Sequence, residues 1–127
     1  MKILGNGVDI IKNSRIEKAI KNKKFIYKIY SNEEILIASK TVNKSNFYAK
    51  RFAAKEAFSK ALGTGIAKGI NFKEIVILNQ KNGKPYIKLF NKTKKKVKKK
   101  FKNKKIRISL SLTDEDKYAV AFVTITL

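Results

Sequence analysis

Two carboxylates, Asp9 and Glu56, have the type and position needed for chemistry in a chain rich in lysine. The 127 residues include 31 Lys and Arg against 9 Asp and Glu, for a net charge of +22. The other carboxylates fall in turns or at the starts of predicted elements. Magnesium typically takes one or two protein carboxylates and completes its coordination with water and phosphate oxygens. The pair is therefore a candidate metal site.

Each carboxylate also has a purely structural explanation. Glu56 lies four residues before Lys60, the favoured order for a helical ion pair worth about 0.2–0.5 kcal/mol. Asp9 can accept backbone hydrogen bonds near the end of a strand. If that strand packs on the helix, Gly5 and Gly7 can leave room for a cation between the two carboxylates. Lys60, one helical turn from Glu56, can then contact a substrate phosphate bound to that cation. Such an assembly suits attack on a phosphoryl centre.

The residue types that are missing narrow the chemistry further. The sequence has neither cysteine nor histidine, which excludes disulfide frameworks, Cys/His zinc sites and Ser-His-Asp or Cys-His catalysis. The length suits one compact domain. No apolar stretch approaches the roughly 20 residues of a membrane span, and the first residues lack a signal-peptide layout. These features predict a cytoplasmic protein.

A long helix is predicted over 46–62, with Ser45 as its N-cap. The alanines of its apolar side predict close approach by another element. Arg51, Lys55 and Ser59 are assigned to its polar side. The apolar arc consists of Ala53, Ala54, Ala57, Phe58, Ala61 and Leu62.

An opening strand is predicted over 2–11, "KILGNGVDII". With a period of two, Leu4, Val8 and Ile10 share one face with Asn6. The opposite face holds Gly5, Gly7 and Asp9. Two glycines beside an aspartate predict open space next to that carboxylate.

The remaining pattern predicts an α+β class: a single domain, 1–127, with a mainly antiparallel sheet packed against the long helix. "SRIE" and "SNEE" read as capping boxes, with Ser14 and Ser31 as N-caps. The lysine-rich run 91–105 is interpreted either as a helix using Val97 and Phe101 or as a solvated loop. Further strands are predicted at 74–78, 86–90, 106–112 and 118–127, with a turn at 82–85.

Two segments carry a family resemblance. "GVDI" at 7–10 followed by Arg15, and "FAAKEAFSK" at 52–60, resemble the two signature segments of the holo-[acyl-carrier-protein] synthases, the small 4′-phosphopantetheinyl transferase family. "NGKPY" at 82–86 and "SLSLT" at 109–113 also fit, and their order and spacing agree over nearly the whole chain. The resemblance implies the transferase fold, and transfer of phosphopantetheine from coenzyme A to a serine of apo-acyl carrier protein in fatty acid biosynthesis.

The resemblance also implies roles for individual residues, with Asp9, Glu56 and Lys60 forming the catalytic group. Members of this group are typically homotrimers with active sites between protomers, and neither nucleic acid nor membrane is an expected partner. The resemblance implies that Asp9 and Glu56 bind Mg²⁺ and that Lys60 contacts the coenzyme A phosphates. It implies that Arg51 and the Asn82-Gly83-Lys84-Pro85 turn hold the adenosine 3′-phosphate end, and that Gly63, Thr64 and Gly65 line the nucleotide site. It further implies that Arg15, Lys21, Lys23 and Lys24 contact the carrier protein.

Two departures from the family pattern keep alternatives open. Leu112 stands where the family commonly has a histidine, and Arg107 occupies an upstream position that is often histidine. A catalytically silent relative is one alternative. Another is a basic module that binds RNA or an anionic membrane without catalysis, using the lysine run with Phe90 and Phe101. That run is otherwise explained by compositional drift toward lysine, asparagine and isoleucine.

Overall fold

The computed structural model describes residues 1–63 and 69–127, and it confirms the α+β class. A three-stranded antiparallel sheet has the order β1-β5-β4, and β2 and β3 form a separate antiparallel hairpin. The strands are β1 (Ile3–Lys12), β2 (Ile75–Asn79), β3 (Pro85–Leu89), β4 (Arg107–Asp114) and β5 (Tyr118–Thr126). The helices are α1 (Asn13–Ala19), α2 (Lys23–Ile29), α3 (Asn32–Ser39), α4 (Lys44–Leu62) and α5 (Asn91–Lys100), with a 3₁₀ turn at Phe72–Glu74.

Strand β1 packs directly on α4 through its glycine face. A Cβ atom added to Gly5 would overlap the Ala61 carbonyl, and one added to Gly7 would overlap the Ala57 carbonyl. The prediction of open space beside Asp9 is therefore wrong at Gly5 and Gly7, because the backbone of α4 occupies that space. The glycines provide close approach, as small residues do where two backbones meet.

The opposite face of the same sheet is apolar and exposed. Val8 and Ile10 retain 54% and 61% of their accessible surface, and Phe122, the register partner of Val8, retains 46%. Alternation divides β1 as predicted from Gly5 onward, with Val8 and Ile10 facing away from the core. The prediction is wrong for Leu4, which lies at a register shift between Ile3 and Gly5 and packs partly against the core. Contiguous exposed apolar surface of this kind commonly marks an interaction site.

Helix α4 forms the centre of the core. Asn43, rather than the predicted Ser45, is its N-cap and accepts from the Asn46 N–H. Gly63 ends the helix in the left-handed conformation at φ 76°, which favours glycine. The prediction of close approach is confirmed, since the alanines at 49, 53, 54 and 57 are fully buried.

The shorter helices correct two details of the sequence reading. The capping box of Ser31 and Glu34 is present in full, but α1 has no side-chain cap. Its first residue, Asn13, instead donates to the carbonyls of Glu115 and Asp116 across the β4–β5 turn. Helix α2 was not predicted, because none of its residues is fully buried and its apolar pattern is short.

The lysine-rich run is helical over its first part. Thr93 and Val97 of α5 are buried at 0% and 2% exposure while all its lysines are exposed. The Thr93 hydroxyl bonds to Glu74 Oε1 at 2.8 Å and thereby anchors the helix. The narrow apolar side of α5 is enough to hold the helix on the core, because the hydrogen bond of Thr93 to Glu74 provides a second attachment.

Replacing Gly7 by alanine tests the packing of β1 on α4. The added methyl group must displace the Ala57 carbonyl, so Gly7→Ala is expected to lower the free energy of unfolding by about 1–3 kcal/mol. Urea unfolding of the purified variant measures the effect. Asn6→Ala, on the exposed face of the same strand, is the control and should stay within about 0.5 kcal/mol of wild type. Equal effects would contradict the packing assignment.

Candidate functional site

The packing of β1 on α4 brings Asp9 to Lys60. The Lys60 ammonium lies 3.0 Å from Asp9 Oδ1 and donates to the Val8 carbonyl, also at 3.0 Å. The Asp9 side chain is 14% exposed, whereas that of Lys60 is 54% exposed. Lys60 therefore pairs across to the strand rather than along its own helix. The geometry favours the shared-site hypothesis over the simple helical ion pair with Glu56.

Glu56 lies in the same electrostatic environment. Burial raises the pKa of its carboxyl group, and the negative charge of Asp9 raises it further, while Lys60 and Arg15 lower it. Asp9 and Glu56 are thus close enough to repel one another. A divalent cation between them would relieve that repulsion.

The donor set fits magnesium better than a metal that needs a full protein cage. No group of three or more Asp, Glu, His or Cys capable of holding a metal occurs among residues 1–63 and 69–127. Two carboxylates leave several coordination positions for water and substrate oxygens, as magnesium prefers. The Lys60 ammonium, already seated on Asp9, lies where a phosphate bound at the same place would need a positive charge.

Arg51 is buried and connected to the turn at 82–85. Its guanidinium stacks 3.7 Å above the ring of Phe47 and donates to Asn79 Oδ1 at 2.7 Å. Asn79 Nδ2 then donates to the Gly83 carbonyl at 2.9 Å. Arg51 Nε is buried without a hydrogen-bond partner. The structure therefore joins two elements that the resemblance assigned to one nucleotide end, through Asn79, which the sequence analysis missed.

Lys55 and Glu34 form a buried ion pair that the sequence analysis also missed. Lys55 Nζ donates to Glu34 Oε1 at 2.8 Å and to the carbonyls of Phe72 and Ile75 at 2.8 and 2.6 Å. The other oxygen of Glu34 accepts from the Ile77 N–H at 3.1 Å. Both side chains are fully buried. The prediction that Arg51, Lys55 and Ser59 form a polar side of α4 is thus wrong, because this side is buried and faces the β2–β3 hairpin.

The i, i+4 spacing of Arg51, Lys55 and Ser59 places them on one side of α4, and this side was wrongly predicted to face solvent. All three are buried along one stripe of α4. A polar stripe is normally read as the solvated face, and only the presence of a covering hairpin reverses that reading. Glu34 was similarly read as a cap alone, although its carboxylate serves both purposes.

The remaining predicted residues lie at the surface or outside the described part. Arg15 lies on α1, and Lys21, Lys23 and Lys24 are exposed at the junction of α1 and α2. The turn at 82–85 projects from the β2–β3 hairpin, with Gly83 at φ 89°. Gly63 is exposed at the end of α4, while Thr64 and Gly65 fall outside the described residues.

Leu112 shares the inner face of the sheet with Asp9. Both residues are register partners of Ala121, on opposite sides of the central strand β5. The position that is commonly histidine in the family therefore lies on the same face of the sheet as Asp9, two strands away, and carries a side chain that cannot accept a proton.

Comparison with known proteins gives this geometry a family. Residues 5–123 match the model of the 4′-phosphopantetheinyl transferase superfamily. The chain belongs to this superfamily. A holo-[acyl-carrier-protein] synthase from Pelagibacter ubique is 54% identical over 123 residues, covering 97% of this chain and 96% of that protein.

Solved structures agree with this assignment. The holo-[acyl-carrier-protein] synthase of Neisseria meningitidis superposes with a TM-score of 0.88 at 36% identity, covering 99% of this chain and all of that one. The Helicobacter pylori synthase, solved in complex with coenzyme A, superposes with a TM-score of 0.81 at 34% identity, covering 95% and 99% of the two chains. The transferase fold implied by the sequence is confirmed.

The buried pair of this transferase predicts a pH dependence of stability. Burial lowers the pKa of Lys55 to about 8, and attraction to Glu34 offsets only part of the loss. Between that value and the unfolded value of about 10.4, the unfolded chain binds more protons at this position. The contribution of Lys55 to the free energy of unfolding should therefore rise with pH through this window.

Urea unfolding at several pH values across that window tests this expectation. The double variant Glu34→Gln with Lys55→Met should lack the rise, so its difference from wild type should grow with pH. Lys50→Met removes a partly exposed lysine that pairs with Asp114 at 3.8 Å, and it should keep the wild-type slope. Parallel profiles for wild type and the double variant would contradict the lowered pKa.

Proposed function

We propose that this chain is a magnesium-dependent holo-[acyl-carrier-protein] synthase. It transfers 4′-phosphopantetheine from coenzyme A to a serine of apo-acyl carrier protein and releases adenosine 3′,5′-bisphosphate. The observation that carries the proposal is the meeting of Asp9, Glu56 and Lys60 where β1 packs on α4. Relatives of that name match the chain from end to end.

The reaction is a displacement at one phosphorus of the coenzyme A pyrophosphate. The carrier serine oxygen forms a new P–O bond, the bond to the adenosine bisphosphate breaks, and the serine proton leaves. Asp9 and Glu56 would hold the magnesium ion, whose contribution is to neutralise negative charge on the pyrophosphate. Lys60, whose side chain is 54% exposed, would bind a phosphate oxygen.

A carboxylate is the group best placed to receive the serine proton. Leu112 cannot do so, whereas a carboxylate of the site, or a water molecule that Asp9 or Glu56 orients, can accept a proton. Glu56 can act directly or through a water molecule that it orients. The proposal therefore replaces the family histidine by a residue already in the site.

The nucleotide end would lie toward the turn at 82–85. Arg51 and the exposed Lys84 supply positive charge for the adenosine 3′-phosphate. Arg51 Nε, buried and without a partner, is a donor that such a phosphate would satisfy. Thr64 and Gly65 are assigned to the same nucleotide site by the family motif, together with Gly63.

The carrier protein would dock on the basic surface next to Glu56. Arg15 is close enough to lower the pKa of that carboxyl group, and Lys21, Lys23 and Lys24 extend the exposed positive surface. An acidic partner gains mainly in encounter rate from such a surface. Supply of holo-carrier protein for fatty acid biosynthesis in the cytoplasm is the corresponding role.

The exposed outer face of the sheet supports a homotrimer. Val8, Ile10 and Phe122 are each about half exposed in the isolated chain, although large apolar side chains usually find a partner. Assembly of three copies through this face would cover them and place each active site near a neighbouring protomer.

The alternative of a basic module without catalysis is not favoured. The exposed lysines of α5 would serve it, but it accounts for neither the Asp9–Lys60 pair nor the family match. None of the described helices is long and apolar enough to cross a bilayer.

Glu56→Gln tests the assigned metal ligand. A neutral amide is a poor magnesium ligand, so transfer to apo-carrier protein, followed by mass spectrometry of the carrier, should fall by at least about 10³-fold. Because the raised pKa of Glu56 shows that its charge costs folding free energy, the variant should unfold at the wild-type temperature or slightly above. Near-normal turnover, or loss of the fold, would refute the role.

Charge reversal tests the docking surface. Lys23→Glu with Lys24→Glu should lower kcat/KM for carrier protein about tenfold at low salt, mainly through KM, and less at high salt. Lys95→Glu with Lys99→Glu changes the net charge equally on exposed positions of α5 and should have little effect. If both pairs reduce kcat/KM equally, attraction depends on net charge and not on this surface.

A further inference from the structure

The two sheets of the fold carry different halves of the proposed substrate site. Asp9 lies on the three-stranded sheet and Glu56 on α4, whereas the turn at 82–85 belongs to the β2–β3 hairpin. Within residues 1–63 and 69–127, no backbone ladder joins the hairpin to the larger sheet. Something else must set the distance between the hairpin turn and the carboxylates.

The base of the hairpin is held by Lys55. Its ammonium uses all three protons, on Glu34 and on the carbonyls of Phe72 and Ile75. Glu34 in turn accepts from the backbone of Ile77, two residues further along β2. One fully buried lysine of α4 is thus bonded directly to the 3₁₀ turn and to the first residue of β2, and through Glu34 to Ile77 in the middle of β2.

The far end of the hairpin is held one helical turn earlier on α4. Arg51, fixed on the ring of Phe47, donates to Asn79, and Asn79 donates to the carbonyl of Gly83 within the turn itself. Arg51 and Lys55 therefore fasten the two ends of β2 to successive turns of one helix. Glu56 is the next residue on that helix.

These polar links are poorly explained by stability alone. Replacing a buried ion pair by apolar residues of similar volume is often neutral or stabilising. Charge-assisted hydrogen bonds add geometric specificity to a contact, because each donor must meet its acceptor in one arrangement. The links therefore fit a requirement for exact registration between helix and hairpin.

We propose that Lys55, Glu34 and Asn79 are positioning residues that fix the turn at 82–85 relative to Glu56. The span they set lets a single coenzyme A present its pyrophosphate to the carboxylates and its 3′-phosphate to the turn. This inference rests on the proposed function and assigns no contact with substrate to the three residues.

Comparison of coenzyme A with 3′-dephospho-coenzyme A tests the inference, because the second donor lacks the group that the turn would hold. Wild type should prefer coenzyme A by about tenfold or more in kcat/KM, mainly through KM. Asn79→Ala, and Glu34→Gln with Lys55→Met, should lose most of this preference. Both variants should keep kcat for the dephospho donor within about twofold.

A binding measurement gives a readout that is independent of turnover. Calorimetry should show wild type binding adenosine 3′,5′-bisphosphate more tightly than adenosine 5′-monophosphate, and the variants binding the two nucleotides nearly equally. Tyr30→Phe is the matched control. It removes the buried hydrogen bond to the Tyr48 carbonyl and should lower stability without changing either preference.

The outcomes separate the inference from the function it rests on. A folded variant that keeps the wild-type preference, or loses both donors equally, overturns the positioning role. If wild type binds the bisphosphate but modifies no carrier protein, the proposed function is overturned. The calorimetric comparison of the two nucleotides in wild type and variants then still tests the positioning role. Asn79 is exposed, so Asn79→Ala decides the question if the double variant does not fold.

Discussion

The contact of β1 with α4 is the constraint on which the rest of the structure depends. Gly5 and Gly7 allow the strand to meet the helix backbone at Ala61 and Ala57. Any larger residue would move the strand outward and take Asp9 away from Lys60. Buried alanines are frequent where these elements meet, on α4 and at Ala119 and Ala121 of β5. The part of the candidate site that contains Asp9 and Lys60 is therefore a direct product of close packing between a strand and a helix.

The sequence was sufficient for the elements whose local pattern matches their environment. The strands, the long helix, its glycine end and the pairing of Asp9 with the Lys60 region all follow from periodicity, capping residues and the family motif. Helix starts were wrong at Ser14 and Ser45, because several residues near each start can cap and tertiary contacts choose among them. Boundaries of this kind are weakly encoded.

The buried polar links could not be predicted, because they depend on which element covers which face. Arg51, Lys55 and Glu34 look like surface residues in a chain where lysine is abundant. Their burial is decided by a hairpin whose bonded residues lie 20 positions beyond Lys55, 28 beyond Arg51 and 43 beyond Glu34. The lysine-rich composition also made the role of Lys55 hard to predict, because one more lysine attracts no attention in such a chain.

The strand order has a consequence for synthesis on the ribosome. In the described parts of the chain, 1–63 and 69–127, β1 is an edge strand that pairs with β5 alone, and β5 is the last strand along the sequence. While translation is in progress, Asp9 emerges early but has no partner strand until residues 118–126 have been made. Such long-range pairing makes folding slow, and the backbone of β1 lacks its partner strand during that time. Nascent chains of this protein should therefore be clients for chaperones until elongation is almost over.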